Sequence, residues 1–236
     1  MGFIEHLEDL RKRLIRALLF LCAGTALCLI FSQRLVDFLT RPFGADPKMH
    51  LALLQPIEGF MVHLKVSLVA GIFLTSPLWL GQLWGFISPG LYSREKRVII
   101  PVLVASVGAF IIGAAFGYWI LPYAVGYFQS FSTSDIAVTW SLGRYIDFVL
   151  QLLLAFGLTF ELPLIIYAAA MLGIVTPKTL RQYRRHAIIG ILIVGGIITP
   201  PDVFSQIVVS VPLIVLYEIS IIMSAIALKR RDRRKK

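Results

Sequence analysis

Charged residues are scarce in this sequence. Only 15% of its 236 residues are Asp, Glu, Lys or Arg, whereas 58% are hydrophobic. A soluble domain of this size carries about 25% charged residues. The composition therefore excludes an ordinary soluble domain and predicts a single domain embedded in lipid.

Residue types that build disulfides, metal sites and active sites are also rare. Cys22 and Cys28 share one apolar stretch, at a spacing that places them on different faces of a helix and excludes a disulfide between them. The four histidines are scattered, and the sequence has no H-E-x-x-H, G-x-S-x-G or Walker motif. We therefore expect no metal, no cofactor and no enzymatic activity. We also expect no cleavable signal peptide, because a mixed acidic and basic segment precedes the first apolar run and no A-x-A-like site follows it.

Six apolar stretches qualify, some marginally, as membrane spans, for which about 20 residues of helix are needed. They cover residues 14–32, 60–84, 98–121, 146–172, 187–199 and 203–228. We expect one six-span domain over 1–236, with a basic tail at 229–236. Prolines are expected to end the third and fifth helices and to kink others. The ending prolines are Pro122, Pro200 and Pro201, and the kinking prolines are Pro77, Pro101, Pro163 and Pro212.

Lys and Arg are distributed unevenly between the two sides of these spans. Most lie in the N-terminal segment, in the loops 86–97 and 173–186, and in the tail. The opposite side holds only Arg34, Arg41, Lys48 and Arg144. Because basic loops stay in the cytoplasm, both termini are predicted to be cytoplasmic. This distribution also accounts for the net charge of +10, so nucleic-acid binding is not needed to explain it.

The fifth span is short. Residues 187–199 would form roughly 20 Å of helix at about 1.5 Å per residue, against a hydrocarbon core of about 30 Å. Either neighbouring helices shield it or the bilayer thins around it. The connections 33–59 and 122–145 show few strand signals, so short helices and turns are expected there. No internal repeat is visible, which disfavours a secondary transporter.

Several carboxylates have unusual surroundings. Glu5, Glu8 and Asp9 share one face of a short helix, where they either complement the helix dipole or bind a ligand. Glu95 stands in Y-S-R-E-K-R, and the residues alone leave open whether it is a salt-bridged loop acid or an acceptor for a guanidinium group. Glu161 lies in the middle of a span, where an ionisable group is a functional hypothesis by default.

Two further ionisable residues lie within spans. Lys65, near the outer end of the second span, can extend to the interface. Glu218 lies deep in the last span, nearer its cytoplasmic end. Direct pairing of Lys65 with Glu161 is not expected, because Glu161 lies roughly 20 Å of helix rise from the outer end of its own span. We expect Glu161 to face a hydrated concave surface rather than lipid.

Four segments resemble one known family. They are H-L-E-D-L-R-K-R-L at 6–14, S-P-L-W-L-G-Q-L-W-G-F-I-S-P-G-L-Y-S-R-E-K-R at 76–97, A-F-G-L-T-F-E-L-P at 155–163 and T-P-P-D-V-F-S-Q at 199–206. In this order they resemble the TatC family of the twin-arginine protein translocase over nearly the whole chain. The resemblance implies an all-α integral membrane protein, with six transmembrane helices in a curved, glove-like bundle and short fifth and sixth spans.

The resemblance also implies a function. Members bind signal peptides with paired arginines at the cytoplasmic face of the inner membrane. They nucleate assembly with single-span TatA- and TatB-type subunits and export folded proteins using the proton motive force. Membrane lipid and, within the complex, further copies of the chain are the other partners to consider.

The family's site residues carry over by position. The signal-peptide site would comprise Glu95, Asp9, Glu8, Arg11, Phe86 and Pro89. Asp9 stands where the family more often has Glu, so its reach is shorter. Glu161 would be the membrane-embedded acid, Thr199 and Gln206 would dock a partner helix, and Pro42 and Asp202 would serve the outer face.

Two other functions fit the residues less well. A solute transporter or ion channel could use Glu161 and Lys65 in a pathway, and a membrane enzyme would need a catalytic constellation that the sequence lacks. The short fifth span, the absence of repeats and the acid in a basic loop favour the translocase receptor.

Overall fold

The protein is described here from a computed structural model, which describes residues 3–43, 49–87, 99–130, 138–198 and 203–235. Over these residues the chain is almost entirely helical. The helices are α1 (Phe3–Ile30), α2 (Ser32–Thr40), α3 (Glu58–Leu74), α4 (Ser76–Ile87), α5 (Ile99–Gln129), α6 (Leu142–Phe160), α7 (Leu162–Leu172), α8 (Pro177–Gln182), α9 (Arg184–Ile198) and α10 (Val203–Lys235). A 3₁₀ turn covers Arg41–Phe43, and the strands are β1 (Met49–Ala52) and β2 (Val138–Ser141).

Length and composition identify the membrane-crossing helices in the described part of the chain. Four apolar segments are long enough: Leu7–Ile30, Ile100–Gln129, Leu142–Leu172 and Gln206–Lys229. A fifth is the bent pair α3 and α4. The remaining apolar helix, α9, has 15 residues, or about 22 Å at about 1.5 Å per residue, and is short as predicted. The sixth span is not short, because α10 stays apolar for most of its length and continues through the basic tail.

The predicted kink at Pro77 is present as a break between α3 and α4, which are bent by 56°. Pro77 cannot donate a backbone hydrogen bond, so carbonyls near the break need other donors. The Thr75 hydroxyl donates to the Gly71 carbonyl at 2.7 Å, the Ser76 hydroxyl to Phe73 at 2.7 Å, and the Trp79 indole to Ile72 at 3.0 Å. Side chains thus satisfy backbone groups that lipid could not.

The predicted end of the third span at Pro122 is wrong. Helix α5 continues through Pro122 to Gln129. A proline removes one hydrogen bond from a helix but does not have to end it when the residues beyond are themselves apolar and helix-compatible. The connection that follows is correspondingly shorter.

The expectation of helices and turns in the two long connections is only half right. Helix α2 and the 3₁₀ turn lie in the first connection, but each connection also contributes a strand. Strands β1 and β2 pair in parallel, with Met49 opposite Val138 and Ala52 opposite Ser141. Phe43 packs edge-on against Trp140 and Tyr145 beside this pair.

By its contacts the chain divides into two compact units, 1–86 with 114–154 and 87–113 with 155–236. In the first unit, α1 packs closely on α3 through glycines. A Cβ on Gly71 would lie 2.7 Å from the Thr25 backbone nitrogen, and a Cβ on Gly24 would meet the Thr75 methyl at 2.5 Å. Small residues allow such close approach between helices in lipid.

In the second unit, α7 packs against α10. Tyr167, Ala170 and Met171 on α7 form a buried cluster with Ala227 on α10. Ser220 and Ser224 are also buried, and each hydroxyl donates to a carbonyl of its own helix. Small side chains at this seam let the two helices lie close together.

Candidate functional site

The acidic face at the start of α1 contains two ion pairs of different character. Glu8 lies 3.8 Å from Lys12, and both side chains are about two-thirds exposed, at 65% and 66%. Asp9 lies 2.8 Å from Arg13, and these side chains are only 29% and 25% exposed. Both pairs span four residues, so each joins adjacent turns of the helix. Only the Asp9 pair is partly buried.

The C-terminal end of α4 lies beside this second pair. A Cβ placed on Gly85 would overlap the Arg13 guanidinium at Nη1, so the arginine lies directly against the α4 backbone. Phe86, the next residue, is half-buried. The structure therefore places Asp9 and the Gly85–Phe86 end of α4 in one region, whereas Arg11 is exposed.

Several of the predicted site residues lie outside the described residues. They are Glu95 and Pro89 in the signal-peptide set, and Thr199 and Asp202 in the other sets. Their roles stay predictions.

Glu161 occupies the junction between α6 and α7. Pro163, near the start of α7, lacks the backbone donor that a continuous helix would need, and the predicted kink is a break here. The Glu161 side chain is 4% exposed, so it does not face lipid, but the expectation that it faces a hydrated surface is wrong, because it is buried against its own unit. The Ser106 hydroxyl bonds to its carboxyl group, while Oε1 is buried with no hydrogen-bond partner among the described residues. A buried carboxyl oxygen without a partner is costly, so this position is a functional candidate on physical grounds.

Gln206 links the two last apolar helices. Its amide nitrogen donates to the Leu192 carbonyl of α9 at 2.9 Å. A Cβ on Gly195 would lie 2.7 Å from the hydroxyl of Ser210, which is buried and has no hydrogen-bond partner in the part of the chain that the structure describes. Polar atoms in lipid are stable when they form hydrogen bonds. Where α9 meets α10, the side-chain oxygen of Gln206 can accept a hydrogen bond, and the Ser210 hydroxyl can donate or accept one.

The sequence did not single out Glu58, which joins the two strand-containing connections. One carboxylate oxygen accepts from the backbone nitrogens of Leu54 and Gln55 at 2.6 and 3.1 Å. The other accepts from the Gly143 nitrogen at 2.7 Å and from the Ser141 hydroxyl. Glu58 thus caps the N-terminus of α6 from another helix. Pro42 lies in the 3₁₀ turn of the same unit, partly buried.

Two ion pairs involve Lys65 and Glu218, for which the sequence alone predicted no partner. Lys65 does not simply extend to the interface, because it binds Asp147 of α6 at 2.7 Å. Glu218 binds Arg184 of α9 at 2.5 Å. The adjacent Tyr217 hydroxyl donates to the Leu180 carbonyl at 2.8 Å, so α8, α9 and α10 are joined at this end. These pairs join residues that are distant in sequence, so they can be identified only from the tertiary fold.

No group of three or more His, Cys, Asp or Glu side chains with metal-site geometry occurs among the described residues. The two cysteines are free, with Cys22 exposed and Cys28 buried. The polar chemistry of the described sites consists of hydrogen bonding and charge pairing.

Comparisons with known proteins agree with one another. The family model described as "Sec-independent protein translocase protein (TatC)" matches residues 5–212. A relative from Desulforapulum autotrophicum with that description is 40% identical over 98% of this chain and 86% of its own length. One from Aquifex aeolicus is 37% identical over 98% of both chains.

Two solved structures also match. The structure titled "Crystal Structure of Twin Arginine Translocase Receptor- TatC" superposes with a TM-score of 0.84 at 37% identity, covering 94% of this chain and 99% of that one. A second crystal structure of the same description, in DDM, gives a TM-score of 0.87 at 36% identity, covering 93% and 99%. At these values both fold and family are shared.

Proposed function

Because the chain belongs to the TatC family of Sec-independent protein translocase proteins, we propose that it is the receptor subunit of a twin-arginine translocase. Membership makes it a multi-pass membrane protein and a translocase component rather than an enzyme. In the proposed role it binds twin-arginine signal peptides at the cytoplasmic face and nucleates assembly of the translocase.

The observation that carries this proposal is the placement of Asp9. Its carboxylate lies at the start of α1, in the part of the chain where basic residues predict the cytoplasmic side. It is bonded to Arg13, and the Arg13 guanidinium lies against Gly85 at the end of α4. A carboxylate at a half-buried site binds a guanidinium group more strongly than an exposed one does.

Glu95 is proposed as the main acceptor for the arginine pair, with Asp9 second and Glu8, Arg11, Phe86 and Pro89 completing the surface. The support for Glu95 is its position as the only acid among Arg94, Lys96 and Arg97. The Glu8 carboxylate is the weaker candidate for direct contact, because its exposed pair with Lys12 is of the kind that contributes little.

Partner docking is proposed at the end of the last two spans. The Gln206 amide nitrogen donates to a carbonyl of α9, and the Gln206 side-chain oxygen can accept a further hydrogen bond. Thr199 would add a hydroxyl nearby in sequence. We propose that the single helices of TatA- and TatB-type subunits place a polar side chain here. Interhelical hydrogen bonds of this kind are worth about 0.6–2 kcal/mol.

The proposal also includes the location of the chain and the energy source for transport. The chain would lie in the inner membrane with both termini in the cytoplasm and with six spans, the fifth formed by α9. Pro42 and Asp202 would face outward. Glu161 would act after signal recognition, in assembly or in transport driven by the proton motive force.

Photocrosslinking tests the proposal directly. A photoreactive residue at Phe86 should label a peptide with an Arg-Arg pair and should label its Lys-Lys counterpart far less. The same photoreactive residue at Ile112, which is 61% exposed on α5, is the matched control and should label neither. Equal labelling of both peptides at Phe86 would mean that this surface does not recognise the arginine pair.

A further inference from the structure

The two ion pairs on α1 provide an internal comparison. Lys12 and Arg13 are adjacent, and each pairs with an acid four residues earlier, yet only Arg13 is partly buried. An exposed pair of this kind contributes little and holds neither side chain in place. A partly buried arginine hydrogen bond of 2.8 Å fixes the position of the carboxylate that accepts it.

Contact with α4 explains why Arg13 is held. Its guanidinium Nη1 lies where a side chain at position 85 would begin, and glycine is the residue that leaves this space open. Arginine's planar fork is preorganised, so an arginine packed against a backbone keeps its hydrogen bonds in a fixed direction. Arg13 therefore joins Asp9 to the end of α4.

The hydrogen bond from Arg13 occupies only one oxygen of the Asp9 carboxylate. The donor is Nε of Arg13 and the acceptor is Oδ2 of Asp9. An ionised carboxylate has about four lone-pair sites on its two oxygens. No other donor to Asp9 occurs among the described residues, so most of its accepting capacity is left for an incoming donor.

We propose that Arg13 is a positioning residue for signal-peptide recognition, which holds Asp9 at the end of α4 with Oδ1 available for an incoming arginine. This inference rests on the proposed function. Simple electrostatics predicts the opposite effect on binding, because Arg13 adds positive charge beside a site that binds cations. Removing that charge should weaken binding, since the order it imposes on Asp9 outweighs its repulsion of the ligand.

The test measures binding of an Arg-Arg signal peptide to the full chain in nanodiscs. Arg13→Met should weaken binding about threefold to tenfold, as expected for loss of one charge-assisted hydrogen bond at a partly exposed site. Lys12→Met removes the same charge from the same turn and should change binding less than twofold. Gly85→Ala, which displaces the guanidinium without removing a charge, should weaken binding in the same direction, whereas Gly108→Ala, at an open position, should not.

A double-mutant cycle separates positioning from a general structural effect. If Arg13 acts through Asp9, then Arg13→Met should have no further effect in an Asp9→Asn background. Full additivity would show that Arg13 acts elsewhere, and tighter binding by Arg13→Met would show that it competes with the ligand; either result overturns the inference. If Asp9→Asn weakens binding and Arg13→Met does not, only this inference fails. If Asp9→Asn itself has no effect, the role of Asp9 in the proposed function fails with it.

Discussion

Gly71 is predicted to be intolerant of even the smallest side chain. A Cβ there would lie 2.7 Å from the backbone nitrogen of Thr25, 2.8 Å from its hydroxyl and 3.0 Å from its Cα. Ordinary van der Waals contacts begin at 3.4 Å. Because two of the three atoms belong to the backbone of α1, no rotation of a side chain relieves the overlap, and Gly71→Ala must push α1 away from α3.

Gly108→Ala supplies the reference for the magnitude. No atom of the described residues lies within 4 Å of a Cβ at Gly108, so alanine there meets no obstacle. Alanine favours the helix over glycine by up to about 1 kcal/mol at either position, and this contribution cancels in the comparison. Overpacking costs about 1–3 kcal/mol. The Gly71 variant should therefore melt about 2–12 °C below the Gly108 variant, at about 2–4 °C per kcal/mol for a chain of this size.

Cys28 provides a native probe for this measurement. It is buried on α1, whereas Cys22 is exposed and can be replaced by serine. A thiol-reactive dye then reports the temperature at which α1 leaves its packing. If both alanine variants expose Cys28 at the same temperature, then α1 and α3 do not pack through their backbones, and the description of the first unit is wrong.

Three further predictions concern polar groups within the spans. Asp147→Asn leaves Lys65 unpaired and should lower stability by less than about 1 kcal/mol, because both side chains are exposed, at 47% and 41%; a loss above about 2 kcal/mol in detergent melts would contradict this. Glu161→Gln keeps the hydrogen-bonding shape and should reduce export of a folded reporter mildly, whereas Glu161→Leu should reduce it strongly; equal export by both would exclude a polar role. Gln206→Leu should reduce co-purification of a single-span partner while signal-peptide binding persists, and undiminished co-purification would place docking elsewhere.

The membrane class and most spans were predictable because they depend on composition and on local sequence. In lipid, long runs of apolar residues identify helices. The short length of α9 follows from the residues that bound its apolar run. Pro77 and Pro163 mark breaks for a reason that is equally local, since each lacks a backbone donor. Pro122 shows the limit of that reasoning, because the same missing donor is tolerated inside α5.

Pairings between distant segments were not predictable. Strands β1 and β2 have four residues each and are far apart in sequence, so neither carries a periodic signal of its own. Glu58 and Lys65 find their partners at the start of α6, and only the tertiary arrangement brings these groups together. The same holds for Arg13 and Gly85, whose contact depends on how α1 passes α4.

The central claim is that this chain recognises a pair of arginines, and one affinity measurement tests it most directly. The purified chain in nanodiscs would be titrated with two signal peptides that differ only in Arg-Arg or Lys-Lys, using wild type and Glu95→Ala. Truncating one partner of a charge pair that becomes buried on binding costs about 2–5 kcal/mol. If the bound peptide buries Glu95 in this way, Glu95→Ala should weaken Arg-Arg binding at least about tenfold and bring it close to Lys-Lys binding. Equal affinity of wild type for the two peptides, in protein shown to be folded by its Cys28 melting profile, would contradict the account.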